Sequence, residues 1–243
     1  MRWLAPSFVA AGLAGCTAEI TGDLPDAPDS PDSRDAPPDG AERIDARAPG
    51  VDAPAVGPDA GPGPILGTFA LTYYWVTLES DYPGAADTTL YDRSCVALAT
   101  VPSAFAQSLV IEGTGRLADG RTLNYAGACP CLFSPCFVVL DAAHPWGTGA
   151  DGRALVPFRS IAVDPTVLAI GARYWVKELA GVTMPGAEGG FVHDGCVSAD
   201  DTGGHILGMH IDFFAALRSN YLILDNRLGL AAVTLYEGGA RCP

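Results

Sequence analysis

From residue 65 onward, apolar and polar positions alternate in short runs separated by glycine and aspartate turns. The clearest run, Thr68-Phe69-Ala70-Leu71-Thr72-Tyr73-Tyr74-Trp75-Val76, is rich in β-branched and aromatic residues and predicts a strand. The same reading predicts strands at Ser108–Glu112, Phe137–Leu140, Ser160–Val163, Arg173–Val176, Gly208–Phe214 and Ala231–Tyr236. Asp119-Gly120, Asp151-Gly152 and Gly189-Gly190 supply turns between them. Two short helices are expected near Asp164–Leu168 and Phe214–Asn220. No repeat and no long amphipathic helix interrupts this pattern, so residues 65–243 are expected to form a mostly β barrel.

Upstream the pattern changes twice. Residues 1–16 carry Arg2 and then an apolar run too short to span a ~30 Å hydrocarbon core, which reads as a secretory signal. The run ends in Leu13-Ala14-Gly15-Cys16, which resembles a bacterial lipobox and implies cleavage before a lipidated Cys16. Thr17, not Asp, follows that cysteine, a pattern that implies export to the outer membrane in a Gram-negative host. Residues 17–64 hold 10 of the chain's 20 prolines and 11 acidic residues against three arginines, with no aromatic. Such a stretch buries too little apolar surface to offset its ordering entropy and is expected to be an extended, self-repelling tether. The regular aspartates at 23, 26, 29, 32 and 35 lack the glycine turn and bidentate glutamate of a calcium loop.

Charge and cysteines narrow the picture. The net charge of −14 argues against a nucleic-acid partner, because phosphate binding needs the opposite sign. More than half of that charge lies in the tether. Cys95, Cys129, Cys131, Cys136, Cys196 and Cys242 remain in the barrel region, and an exported chain favours up to three disulfides. Their pairing stays open, except that Cys129 and Cys131 are too close in sequence to bond each other without strain. The C-x-C-x4-C spacing does not match the usual zinc pattern, so neither metal nor cofactor is expected.

Three segments carry the candidate chemistry: Ile161-Ala-Val-Asp164-Pro165, Asp200-Asp201-Thr202-Gly203-Gly204 and Ile211-Asp212-Phe213-Phe214. Asp164 before Pro165 suits a turn or helix start. Asp201-Thr-Gly-Gly204 reads as a tight turn in which glycines permit close backbone approach and positive φ. In the third segment His210, Asp212 and Phe214 share one strand face, while Met209, Ile211 and Phe213 share the other. A carboxylate in such semi-apolar company, near a second one, has a raised pKa and suits general acid catalysis. Asp200 reads as a solvated neighbour.

Together, and with eleven residues from Asp201 to Asp212, these segments resemble the three-aspartate (3D) domain over roughly residues 155–239. The resemblance implies a six-stranded double-psi β-barrel of barwin-like type, with a cysteine-bearing insertion over about 77–150 and short helices. It extends to membrane-bound lytic transglycosylase A and related muralytic enzymes, and more remotely to family 45 endoglucanases and expansins. Thr72-Tyr73-Tyr74-Trp75 resembles the opening barrel strand.

The resemblance implies that Asp212 is a single general acid and base. It would cleave the β-1,4 bond between N-acetylmuramic acid and N-acetylglucosamine to give 1,6-anhydro products. Asp201, Gly203 and Gly204 would support it, and Asp164 would hold loop backbone. Trp146 and His210 are candidate glycan contacts, His205 is a further candidate for the cleft, and the Gly181–Gly195 segment is a candidate lid. The family's second domain has no large counterpart here, so the insertion must supply a reduced groove wall or leave the groove shallow. Peptidoglycan strands are the expected partner of a monomeric, lipid-anchored enzyme. A non-catalytic glycan-binding lipoprotein and an inverting β-1,4-glucan hydrolase are the alternatives.

Overall fold

The computed structural model describes residues 61–243; the signal, lipobox and most of the tether expected over residues 1–60 lie outside the described residues. The strands are β1 (Ile65–Tyr74), β2 (Thr77–Leu78), β3 (Thr88–Tyr91) and β4 (Ala97–Val101). Helix α1 (Ser103–Glu112) follows, then β5 (Thr114–Arg116), β6 (Thr122–Gly127), β7 (Cys136–Val139) and β8 (Ser160–Val163). The chain continues through β9 (Arg173–Val176), β10 (Cys196–Asp201), β11 (His210–Phe214), helix α2 (Arg218–Leu228) and β12 (Ala232–Glu237).

Six strands close into a barrel in the order β1-β11-β8-β10-β9-β12. The β1–β11 and β8–β10 pairs are parallel and the others antiparallel. Alternation drives the closure. Phe69 and Leu71 of β1, Ile161 and Val163 of β8, and Ile211 and Phe213 of β11 point into one buried cluster. Tyr74, Ala162 and Phe214 face the other way and form a second cluster with Val76, Leu155 and Ile206.

The insertion builds its own layer. Strands β2-β5-β6-β7 form a sheet and β3-β4 a hairpin, packed around Leu90, Phe105, Leu109, Leu123 and Phe137. Cys95–Cys131 staples the β3–β4 turn to the loop before β7, and Cys129–Cys136 closes that loop onto β7. The third, Cys196–Cys242, ties the C-terminus to β10. All six cysteines are thus bonded. The sulfurs of Cys129, Cys131 and Cys136 lie within 4.8 Å of one another, but as disulfide sulfurs they offer no thiolate to a metal.

Several local expectations are corrected. Ser108–Glu112 is the second half of α1 and not a strand: Phe105, Ala106 and Leu109 share a buried helical face that a five-residue window does not reveal. Asp164–Leu168 is a single turn, with the N–H groups of Val167 and Leu168 donating to the Asp164 carbonyl, and the chain leaves it at Gly171 with φ +80°. The helix expected from Phe214 begins at Arg218 and runs to Leu228. Gly181–Gly195 folds on itself through the Thr183–Val192 bridge and buries Met184 and His193 in the barrel. Its residues do not line the groove described below, so it is not a lid over it.

Candidate active site

The site is set by strand register. Asp212 of β11 pairs with Ala162 of β8, and so does Asp201 of β10 from the other side. With strands ~4.8 Å apart, the two backbones stand about 10 Å apart across β8. A bulge between Ala199 and Asp201 makes this alignment: Asp200 is the extra residue, and its insertion brings Asp201 opposite Ala162. Asp200 is not the solvated neighbour expected from sequence. It is 8 % exposed and accepts hydrogen bonds from Ser160 Oγ and Ser198 Oγ, both at 2.7 Å.

Thr72 of β1 pairs in register with Asp212 and donates its hydroxyl to Asp212 Oδ1 at 2.7 Å. That hydroxyl has a single proton, so His210 Nε2, 2.9 Å from the same oxygen, is the donor of the second contact. His210 therefore acts behind Asp212 and is not among the groove-lining residues. Burial raises the Asp212 carboxyl to about 6, against the opposing Thr72 hydrogen bond. Asp201 is likewise raised to about 6, first by burial and further by repulsion from Asp212 and Asp200. The Thr202 N–H and the neighbouring Tyr74 hydroxyl oppose that rise. Tyr74 is itself buried, and among the described residues its hydroxyl closes no direct hydrogen bond.

Asp164 stands apart. Its carboxylate accepts from Thr166 N, Thr166 Oγ1 and Gly208 N at 2.7–2.9 Å, led by the Gly208 contact, and these hold its pKa below the usual carboxylate range. It is a loop anchor. The positive φ expected of Gly203 and Gly204 falls instead on Gly208, at +65°, whose N–H makes the Asp164 contact. Gly203 and Gly204 do line the site.

Above these residues lies a groove of about 1700 Å³. Asp201, Asp212, Ala162, Gly203, Gly204 and His205 form its barrel side. The insertion forms the opposite wall through Val110, Ile111 and Glu112 of α1, Tyr125 of β6, and Val138 and Val139 of β7. Trp146 is not part of it: its ring lies 5.1 Å from the Arg116 guanidinium and packs against the Tyr74–Ala162 cluster. Sequence reasoning missed Thr72, Tyr74 and Glu112 as site residues. Strand alternation places Thr72 and Tyr74 on one face, but only the β1–β11 pairing turns that face toward Asp212. Glu112 has no sequence signal at all.

Residues 159–222 match the family model of the 3D domain, a span that holds Asp164, Asp201 and Asp212. This stretch is similar to a 3D domain. No curated protein matches the sequence. Among solved structures the chain is similar to E. coli MltA with bound chitohexaose, at 14 % identity and TM-score 0.49, covering 70 % of this chain and 71 % of that one. It is similar to the membrane-bound lytic murein transglycosylase of Agrobacterium tumefaciens at 15 % identity and TM-score 0.43, covering 70 % and 73 %. LtgG, a lytic transglycosylase of Burkholderia pseudomallei, shares 19 % identity at TM-score 0.38, covering 70 % of each chain. Within the matched span Asp201 and Asp212 both line the groove, while Asp164 anchors a loop.

Proposed function

We propose that the protein is a peptidoglycan lytic transglycosylase on a barrel of double-psi type, with Asp212 as its single general acid and base. One observation carries this reading. The third aspartate of the 3D domain lines a long groove, partly desolvated, with its pKa lifted to about 6. At pH 7 such a group keeps about a tenth of its population protonated while remaining a competent base.

The protonated Asp212 gives its proton to the glycosidic oxygen of N-acetylglucosamine as the bond to C1 of N-acetylmuramic acid breaks. The same carboxylate then takes the proton of the muramyl 6-hydroxyl as O6 bonds to C1. The 1,6-anhydro ring closes, no water is consumed, and Asp212 ends protonated as it began. Thr72 occupies Oδ1, which leaves Oδ2 as the reacting oxygen, and the His210 N–H fixes the direction of the Thr72 hydroxyl. Asp201, sharing the neighbourhood, disfavours a second negative charge and helps keep one proton in the pair. The apolar wall of Val110, Ile111, Val138 and Val139 suits the flat faces of sugar rings and their acetyl methyls. We place the enzyme on the periplasmic or outer surface of a bacterial outer membrane, tethered as a monomer through a lipid on Cys16, so that its groove works on peptidoglycan at a distance.

The test is digestion of purified sacculi by the full-length chain and by Asp212→Asn, with mass spectrometry of the products. Anhydromuropeptides from the wild type alone are expected. Reducing-end products would assign hydrolysis instead, and sacculus binding without products would leave a glycan-binding protein.

A further inference from the structure

Two wall carboxylates face the groove, and neither belongs to the 3D domain. Asp92 is engaged, because its Oδ1 accepts the N–H groups of Ser94 and Val96 in the β3–β4 turn. Glu112 is not. It is the last residue of α1, where the helix presents its carbonyl end and a negative charge is disfavoured. Its Oε2 accepts the Trp75 N–H at 3.1 Å, which ties the wall to the barrel one residue beyond Tyr74. Among the described residues its Oε1 has no hydrogen-bond partner, and Glu112 lines the groove.

As a strut alone, this position needs only an acceptor for the Trp75 N–H, and a neutral amide would serve as well. A carboxyl held by one oxygen and free at the other is a different object: once protonated it both donates and accepts, which suits a hydroxyl-rich ligand. Its ionisation is opposed. Burial, then the charge of Asp212, pushes it up to about 7 against the Trp75 hydrogen bond. The other titratable and charged groups on this groove, among the described residues, are Asp201 from β10, Tyr74 from β1, Tyr125 from β6, His205 from the loop after β10, and Arg93 with Asp92 from the β3–β4 turn. Arg93 is engaged, its guanidinium donating to the Ala126 carbonyl.

We propose that Glu112 is a second substrate-contacting acid of this groove, donating a hydrogen bond from its Oε1 carboxyl to a sugar oxygen of the bound glycan, from the wall opposite Asp212. This rests on the glycan reading above. It makes the wall an active participant in recognition and gives affinity a pH dependence that the barrel aspartates do not supply.

The test is calorimetric binding of peptide-free peptidoglycan strands to the full-length Asp212→Asn protein, which retains the groove without turnover. Burial, the larger cause at Glu112, persists in that background. Between pH 7 and 8.5, where Asp201 is already about nine-tenths ionised, affinity should fall about tenfold as Glu112 loses its proton. Adding Glu112→Gln, whose amide still donates and still accepts from Trp75, should abolish the fall and keep binding tight at pH 8.5. Adding His205→Gln instead should leave the fall in place. The proposal is overturned if Glu112→Gln binds with the parent's affinity and pH dependence, or if His205→Gln removes the fall. Absence of strand binding in every variant would overturn the glycan reading itself, and this proposal with it.

Discussion

Asp201 and Asp212 are register partners of one residue, Ala162, approached from its two neighbouring strands. Both carboxylates are therefore fixed by backbone pairing and do not depend on loop conformation. Their burial is a cost of the same arrangement. The unfolded Asp212 titrates near 3.8 and the folded one near 6, so its ionisation works against folding.

That cost predicts a stabilised variant. Asp212→Asn should be more stable than wild type by about 1–3 kcal/mol at pH 8. The penalty is full above pH 6 and vanishes below 3.8, so the advantage should shrink across that window as pH falls. Urea melts at pH 8, 5 and 3.5 measure it. An equal gain at all three would mean that the carboxylate is not strained by burial.

Thr72→Val keeps strand shape and removes the donor to Asp212 Oδ1. The Asp212 pKa should rise, because the hydrogen bond favouring its ionised form is lost, and turnover should fall about tenfold. His210→Ala should produce a smaller change in the same direction, since it acts only through Thr72. Carboxyl NMR titration of Asp212 in each variant checks the order; an unmoved Asp212 resonance would refute the Thr72 role.

His193 is fully buried, with its Nε2 2.6 Å from the Phe158 carbonyl and its Nδ1 accepting the Gly195 N–H. This fixes the neutral ring, and burial lowers its pKa to about 4. The stability it permits is intact above 6.5 and is lost as pH falls toward 4. Relative to His193→Gln, wild type should lose roughly 2–3 kcal/mol between pH 7.5 and 4.5. Parallel pH-stability curves for the two proteins would contradict this.

The Cys95–Cys131 disulfide closes 36 residues of the wall, so replacing both cysteines by serine should cost roughly 2–4 kcal/mol there. The barrel has a separate core and should keep its amide protection in β8 and β11. KM for glycan strands should rise more than kcat falls. Loss of protection throughout would show that the two layers fold as one.

Much of the barrel was legible because alternation is a local signal: Ser160–Val163 and Arg173–Val176 are strands with the expected bounds. The 3D motif likewise marked Asp201 and Asp212. What the sequence concealed depends on long-range pairing. Asp200 looks like a surface residue until the bulge and two serines account for it. Glu112 ends a run that reads locally as a strand, and only α1, tied to Trp75, brings it to the groove. Trp146 has the composition of a sugar platform, but it packs against Arg116 and the Tyr74–Ala162 cluster and does not line the groove.

The pairing of β11 has a last consequence. It lies between a parallel and an antiparallel neighbour, with Ile211 and Phe213 inside the barrel and Asp212 outside. A slip of one residue would drive the aspartate into hydrocarbon and expose two large apolar side chains. A chain that mispairs this strand can neither close its core nor present its acid. The hydrophobic pattern that closes the barrel thus also proofreads the placement of Asp212.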